Sequence, residues 1–316
     1  MRTSLALVVA TALVAGLAGC SVDAPSAASC EPVAPGAATA LVSVSGDFGE
    51  KPAIRMPTPV KTAETQTRMV ITGEGVRLVD AQQAVVAYNI FNGRTGDLVG
   101  VGGWGESAPL DAVLTEQLLP GFYAALICTP VGSRVVTVIS PDDGFGPAGG
   151  NAQAGIAAND SLVLVADILA AYLPRADGAP RLPESGVPLI SLAPNGQPGM
   201  TTPNFPAPST LRIATLKQGD GATVKSGDSV VLHYTGWLFD SGTVFDSSWD
   251  RQAPLTVVAG LGQTIPGFEK AIEGAEVGSQ ILAVIPPVDG YGDAGTSGIP
   301  GGATLVFVID VLGIVA

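Results

Sequence analysis

The sequence predicts an α+β fold built twice over. Three observations carry this. A set of short motifs recurs at one fixed offset. Most apolar segments alternate with the two-residue period of β-strands. The good helix of the pattern is short and sharply bounded.

The repeat is the strongest of these. Leu119-Pro120-Gly121-Phe122 returns as Ile265-Pro266-Gly267-Phe268, 146 residues later. At the same offset Val131-Gly132-Ser133 returns as Val277-Gly278-Ser279, and Asp143-Gly144-Phe145-Gly146 as Asp289-Gly290-Tyr291-Gly292. Gly73-Glu74-Gly75 returns as Gly219-Asp220-Gly221, and Tyr88 as Tyr234. Near the ends, Ser161-Leu162-Val163 matches Thr304-Leu305-Val306 with an offset of 143. One offset held over such a length implies two copies of one fold.

Within a copy the pattern is mostly strand. Val230, Leu232 and Tyr234 alternate with Val231 and His233, as in a half-buried strand. Gln280 to Ile285 reads as a second strand, stopped by Pro286-Pro287. Thr304 to Leu312, rich in Val and Ile, reads as a third. Asp240-Ser241-Gly242 is a turn signal. The short helix runs from Pro266 to Glu273, with Pro at its start and Gly274 just past its end. An antiparallel sheet curled on one short helix is an α+β arrangement.

Boundaries are legible too. Nine prolines fall between residues 174 and 208, so this stretch is extended and semi-rigid, with part of it expected to pack on the second copy. Met56-Pro57-Thr58-Pro59 before the first copy resembles Phe205-Pro206-Ala207-Pro208 before the second; each copy is expected to carry the same extended arm. The expected division is a signal peptide (1–20), a tether (21–40), a first domain (41–172), a proline-rich linker (173–196) and a second domain (197–316).

The N-terminus reads as an export signal. Arg2 precedes an apolar run from Leu5 to Ala18, too short for an ordinary spanning helix. Leu17-Ala18-Gly19-Cys20 resembles the lipobox of bacterial lipoproteins, whose cysteine is acylated. The alternative is a plain signal peptide with an incidental cysteine. Acylation of Cys20 would place the protein outside the cytoplasm, anchored to the cell membrane. In that oxidising setting Cys30 and Cys128 are a candidate disulfide pair, or else two free thiols. Acids outnumber bases 28 to 15 and no basic run occurs, which argues against a nucleic-acid partner.

Five ordered segments carry chemistry: His233-Tyr234-Thr235-Gly236, Phe245-Asp246-Ser247-Ser248, Ile265-Pro266-Gly267-Phe268, Tyr291-Gly292 and Ala303-Thr304-Leu305-Val306-Phe307. Their order and near-spacing resemble the FKBP-type peptidyl-prolyl cis–trans isomerases over the C-terminal third. The resemblance implies that each copy is a five-stranded antiparallel half-barrel wrapped around a short helix. It also implies proline isomerisation in the second copy, with proline-containing polypeptides as substrates and macrolide inhibitors in the same pocket. No cofactor or metal is implied, because the reaction needs none. A prolyl amide resists rotation by ~18–20 kcal/mol through its C–N double-bond character. A catalyst need only favour the twisted amide, by gripping the ring in a dry aromatic pocket and holding the flanking carbonyls.

Carried over by motif, the resemblance implies that Tyr234 and Phe245 line the pocket and Phe268 forms its floor. Asp246 engages the substrate carbonyl region or is held by Tyr234, with Arg251 as its partner. Ile265 offers its backbone N–H to a carbonyl, and Tyr291 hydrogen-bonds the carbonyl before the proline. Ile299 and Phe307 close the far side, and Leu255 stands where an aromatic is frequent. Asp246, Tyr291 and Tyr234 are the expected catalytic set; the others bind substrate. Phe268 replaces the usual Trp, which predicts altered substrate preference. The flap from Gly292 to Gly298 is short by one residue, which predicts a more open pocket. His233 is the lone histidine and is expected to face away from Tyr234.

The first copy keeps Tyr88, Leu119, Phe122 and Phe145, but Phe245-Asp246 is expected to correspond to about Gly100-Val101. The acid and one wall are gone. Copy one is therefore expected to have little or no isomerase activity. It would bind extended clients or space the active copy from the membrane. The leading expectation for the chain is an isomerase assisting the folding of exported proteins. The alternative is a non-catalytic chaperone-like or adaptor module that binds proline-containing segments. A lone histidine without a nucleophile–base set leaves a hydrolase little to work with.

Overall fold

The computed structural model describes residues 30–182 and 184–315. The expected signal peptide, Cys20 and most of the expected tether lie outside the described residues. In chain order, copy one comprises α1 (Ala37–Ala40), β1 (Ser43–Ser45), β2 (Ala53–Arg55), β3 (Gln66–Ile71), β4 (Gln83–Asn92), β5 (Leu98–Gly102), β6 (Leu110–Val113), α2 (Pro120–Leu126), β7 (Arg134–Ile139), β8 (Gly150–Asn151), β9 (Ile156–Ala157) and β10 (Leu162–Ala171). The proline-rich stretch holds β11 (Ala179–Pro180), β12 (Ile190–Leu192) and β13 (Pro198–Met200). Copy two comprises β14 (Arg212–Gln218), β15 (Ser229–Leu238), β16 (Val244–Ser247), β17 (Leu255–Val258), α3 (Pro266–Ile272), β18 (Gln280–Ile285) and β19 (Leu305–Ile314).

Each copy is one antiparallel sheet, and the two follow the same order. The first runs β3-β7-β10-β4-β5 with β6 also on β4; the second runs β11-β14-β18-β19-β15-β16 with β17 also on β15. The registers match. Leu162 pairs with Asn92 and Leu305 with Leu238; Ala166 pairs with Tyr88 and Ile309 with Tyr234.

The short helix covers one face of each sheet. Pro266 opens α3 without losing a needed donor, and Gly274, at φ 80°, turns the chain out. Gly267 lets the helix lie on the sheet: a Cβ there would stand 2.4 Å from Ile285 Cγ2. Gly121 meets Ile139 in the same way in copy one. The core between helix and sheet holds Leu232, Tyr234, Phe268, Ile272, Ile285, Phe307 and Ile309 in copy two. Each such aliphatic side chain contributes about 1.5–3 kcal/mol on burial.

The arms cover the opposite face. Val42, Val60, Ile54 and Met56 pack on Val136, Val138, Val163 and Val165. Val187, Ile190, Met200 and Phe205 pack on Leu282, Val284, Val306 and Val308, the matching positions of copy two. This is why the central strands are apolar on both faces. A buried polar clamp fixes each arm at one equivalent place. In copy one, Arg134 pairs with Asp167 at 2.6 Å, both fully buried, and donates to the carbonyls of Gly46, Asp47 and Glu50. In copy two, Gln280 donates to Asp310 at 2.7 Å, and Asp310 also accepts from the N–H of Ala176.

Three details depart from the sequence expectation. The expected tether ends early: α1 lies within it, with Ala38 and Thr39 buried and the Ala38 N–H donating to the Gln66 side chain. The expected linker over 173–196 is extended, and the packing expected of part of it makes it a portion of the second domain. It packs on the second sheet through Ala176 and Val187, because those apolar groups cover a sheet face otherwise open to water. The third departure is the register of copy one: Gly100 stands opposite Ile90 as Asp246 stands opposite Gly236, so Phe245-Asp246 corresponds to Val99-Gly100, one residue earlier than expected. Cys30 and Cys128 are both disulfide-bonded. No helix of the described residues is long and apolar enough to cross a membrane.

Candidate active site

The site lies on the helix-covered face of copy two. Tyr234 projects from β15, Phe245 from β16, Phe268 from α3 and Phe307 from β19. Their rings meet edge-on: Phe268 to Phe307 at 5.2 Å, Phe245 to Phe307 at 5.5 Å and Tyr234 to Phe268 at 5.8 Å between centroids. Edge-to-face packing suits the ring quadrupoles. Phe268, Phe307 and Tyr234 are nearly buried, whereas Phe245 is half-buried.

Gly236 makes this assembly possible. It stands opposite Asp246 in the ladder, and a Cβ there would lie 2.6 Å from Phe245 Cζ and 2.9 Å from Phe307 Cε1. Any side chain would push two of the four rings apart.

Polar groups gather at the rim. The Tyr234 hydroxyl donates to Asp246 Oδ2, and Arg251 Nη1 donates to Asp246 Oδ1. Arg251 Nη2 donates to the Tyr234 hydroxyl at 2.9 Å, closing a three-membered network. Burial first, and then the hydrogen bond to Asp246, push the Tyr234 phenol up to about 12, so it keeps its proton at physiological pH. Asp246 and Arg251 remain 40% and 48% exposed, open to solvent. Ile265 precedes α3 with extended backbone (φ −63°, ψ 147°), and no hydrogen bond from its N–H is made among the described residues. That donor is available to a carbonyl.

The structure thus brings together Tyr234, Phe245, Asp246, Arg251, Ile265, Phe268 and Phe307. Ile299 is buried beside the same cluster, and Leu255 packs against it from β17. Tyr291 stands apart: it is exposed at the base of the flap, outside the four-ring group. The flap is pinned on itself by paired hydrogen bonds between Thr296 and Ile299.

Sequence reasoning gave no role to the residues behind the pocket. Ser248 Oγ lies 2.8 Å from the Tyr234 N–H and 3.2 Å from the Tyr234 carbonyl. His233 Nδ1 lies 2.8 Å from the same hydroxyl, and its ring stacks on Trp249 at 4.2 Å. Burial, and then the charge of Arg251, lower His233 to about 4, so the ring is neutral. The available signal was the placement of Ser248 and Trp249 directly between Asp246 and Arg251.

Copy one repeats the scaffold without the site. Tyr88 and Phe122 meet at 5.8 Å and 83°, nearly the geometry of Tyr234 and Phe268. By register, however, Ile90 replaces Gly236, Val99 replaces Phe245 and Gly100 replaces Asp246. Leu164 stands opposite Ile90 where Phe307 stands opposite Gly236.

The four rings and the carboxylate–phenol–guanidinium network at their edge are what copy two has and copy one lacks. The second copy also carries the match to a known family. Residues 221–312 match the family model for FKBP-type peptidyl-prolyl cis-trans isomerase. An FK506-binding protein of Streptomyces anulatus is 37% identical over 120 residues, which is 37% of this chain and 97% of that protein. FK506-binding protein 2B of Rhizopus delemar is 51% identical over 110 residues, 33% of this chain; the match spans about half (53%) of that relative's length. A crystal structure of the three FKBP domains of wheat FKBP73 covers 79% of this chain and 94% of that one, with a TM-score of 0.37 and 20% identity. The chain belongs to the FKBP family.

Proposed function

We propose that copy two is a peptidyl-prolyl cis–trans isomerase and that copy one is a non-catalytic companion of the same five-stranded half-barrel design. The observation that carries this reading is the Tyr234–Asp246–Arg251 network at the rim of a pocket whose walls are aromatic. The proline ring of a client sits against Phe268 and Phe307. The rings exclude water, which disfavours the polar planar amide relative to the twisted one. The Ile265 N–H and the Tyr291 hydroxyl hold the carbonyls flanking the rotating bond, and Asp246 fixes the polar rim. No bond is made or broken other than the partial C–N double bond lost in twisting, so no nucleophile is called for. The same pocket takes FK506-type macrolides, which the names of the relatives attribute to those proteins.

In this reading Cys20 is lipidated, the protein works at the outer face of a membrane, and its clients are exported chains with slow X-Pro bonds. Uncatalysed, those bonds isomerise in roughly tens to hundreds of seconds. The test is exchange NMR on an X-Pro peptide with the full chain. Catalysed exchange that falls sharply in the double variant D246A/Y291F supports the proposal. Peptide binding without any rate enhancement would favour the binding-module reading, which the missing acid of copy one also suits.

A further inference from the structure

The active pocket has a second supporting layer, on the side of the sheet away from substrate. Ser248 is fully buried and touches the backbone of Tyr234 twice. Its hydroxyl donates to the Tyr234 carbonyl and accepts from the Tyr234 N–H. His233 Nδ1 completes the contacts of that oxygen at 2.8 Å, as donor in one tautomer and acceptor in the other. The histidine ring in turn stacks on Trp249, at an interplanar angle of 22°.

Ser248 and Trp249 open the turn that delivers Arg251. That turn is held by the Gln252 N–H on the Trp249 carbonyl and the Ala253 N–H on the Ser248 carbonyl, with Gln252 in the left-handed region at φ 52°. The proline-rich arm grips it from outside. Gln197 Nε2 donates to Asp250 Oδ1 at 2.9 Å. Gly196, at φ 102°, is so close to the indole that a Cβ would stand 3.1 Å from Trp249 Cη2. Arg175 lies against the same glycine and donates to the Pro194 carbonyl at 2.7 Å. The arm, the indole, the imidazole and the serine thus form one contiguous stack. It ends on the backbone of Tyr234 at one side and on the turn of Arg251 at the other.

We propose that His233, Ser248 and Trp249 are positioning residues of the isomerase site, and that arm residues 193–197 complete them by clamping the turn that carries Arg251. The inference rests on the isomerase reading of the pocket. Asp246 is reached by Tyr234 from one strand and by Arg251 from the turn. A small shift of either would open the rim network without touching the aromatic walls. Binding of the proline ring would then survive while turnover falls.

The experiment compares full-chain H233L, H233N, S248A and G196A with the parent. Exchange NMR on an X-Pro peptide gives kcat and KM separately. Asparagine places an amide nitrogen where the ring carries Nδ1, so H233N should stay within about twofold of the parent, whereas H233L and S248A should lose about tenfold in kcat with KM shifted less than threefold. G196A, remote from substrate, should lose about threefold in kcat. The Tyr234 amide and Arg251 Nε–H resonances should move in H233L and hold in H233N. Folded H233L and S248A with turnover within about twofold of the parent would overturn the proposal. So would H233N as impaired as H233L. If S248A does not fold, the pair H233L and H233N decides. If the parent itself shows no turnover, the isomerase reading falls. The positioning proposal is then judged on the two resonances, and their constancy in H233L would sink it.

Discussion

The two copies hold the same pair of rings in the same geometry, yet only one has a site around it. Tyr88 on Phe122 and Tyr234 on Phe268 differ by one degree in interplanar angle. That pair is therefore core packing, a property of the sheet-and-helix scaffold. What makes a site is the change at four neighbouring positions: Gly236 for Ile90, Phe245 for Val99, Asp246 for Gly100 and Phe307 for Leu164. A glycine makes room, two aromatic walls enter that room, and a carboxylate stands at its edge. In copy one Ile90 fills the room instead, and its Cδ1 lies 3.6 Å from where a Cβ on Gly100 would be.

The sharpest way to break the comparison is to move one residue across it. G236I should take turnover to the uncatalysed baseline. It should also destabilise copy two by about 1–3 kcal/mol, because overpacking forces Phe245 and Phe307 from their places. Exchange NMR and a melting curve read the two effects. The reciprocal variant I90G should leave turnover unchanged, since copy one has no acid to use the space. Next in size is D246G, which gives copy two the residue found at 100. It keeps the aromatic walls, so peptide binding should persist while turnover falls about tenfold or more. Equal turnover in D246G and parent would show that the aromatic walls suffice.

Much of this was legible because the informative residues are local or periodic. The repeat offset, the Pro266 start, the Gly274 stop and the alternation through Tyr234 all depend on neighbours in sequence. Tyr234, Phe245, Asp246, Ile265, Phe268 and Phe307 were found through short ordered motifs, and the structure gathers them. That part of the arm packs on the second copy is legible; its partners are not. The Ala176–Asp310 bond joins residues 134 apart, and the Gln197–Asp250 bond joins residues 53 apart. The arm's apolar residues lie between prolines without any period. The bulges fall at the same place in both ladders, between Ile90 and Phe91 and between Gly236 and Trp237, so the offset of 146 alone sets Phe245-Asp246 on Val99-Gly100. The role of Ser248 is not legible in sequence, because it depends on a turn folding it back onto a backbone 14 residues earlier.

The copies should also part company in acid. His233 has no counterpart in copy one, where Ala87 occupies the matching strand position. Its folded value of about 4 lies below the ordinary 6.5. Below 6.5 the unfolded chain takes up a proton that the folded chain refuses. Stability is thus lost as pH falls from 6.5 towards 4, by about 1.4 kcal/mol per unit at most. Asp310 works against this: burial raises its carboxyl, so acid favours its folded form. Asp310 is present in both parent and H233N, so their difference isolates the histidine. Amide exchange over this range should show copy two of the parent losing protection relative to H233N, with copy one unaffected. Parallel curves for the two proteins would contradict the neutral imidazole.

The smallest effect belongs to copy one and has a lower pH window. Asp160 accepts from Arg94, Asn92 and the Ala157 N–H, and copy two has Ala303 in its place. The Arg94 hydrogen bond, above all, holds its carboxyl down at about 2 instead of 3.8. A depressed carboxylate stabilises the fold fully above the unfolded value, and that contribution disappears as pH falls towards 2. D160N keeps the shape but loses the charge, and its amide nitrogen meets donors on every side. At neutral pH it should lower the melting temperature of copy one by a few degrees. That gap should narrow as pH drops below 4, because the parent's carboxylate is then being neutralised as well. A gap of constant size from pH 7 to 2 would mean that Asp160 acts through its shape alone. The loop that closes copy one at Asp160 would then owe nothing to the charge that copy two does without.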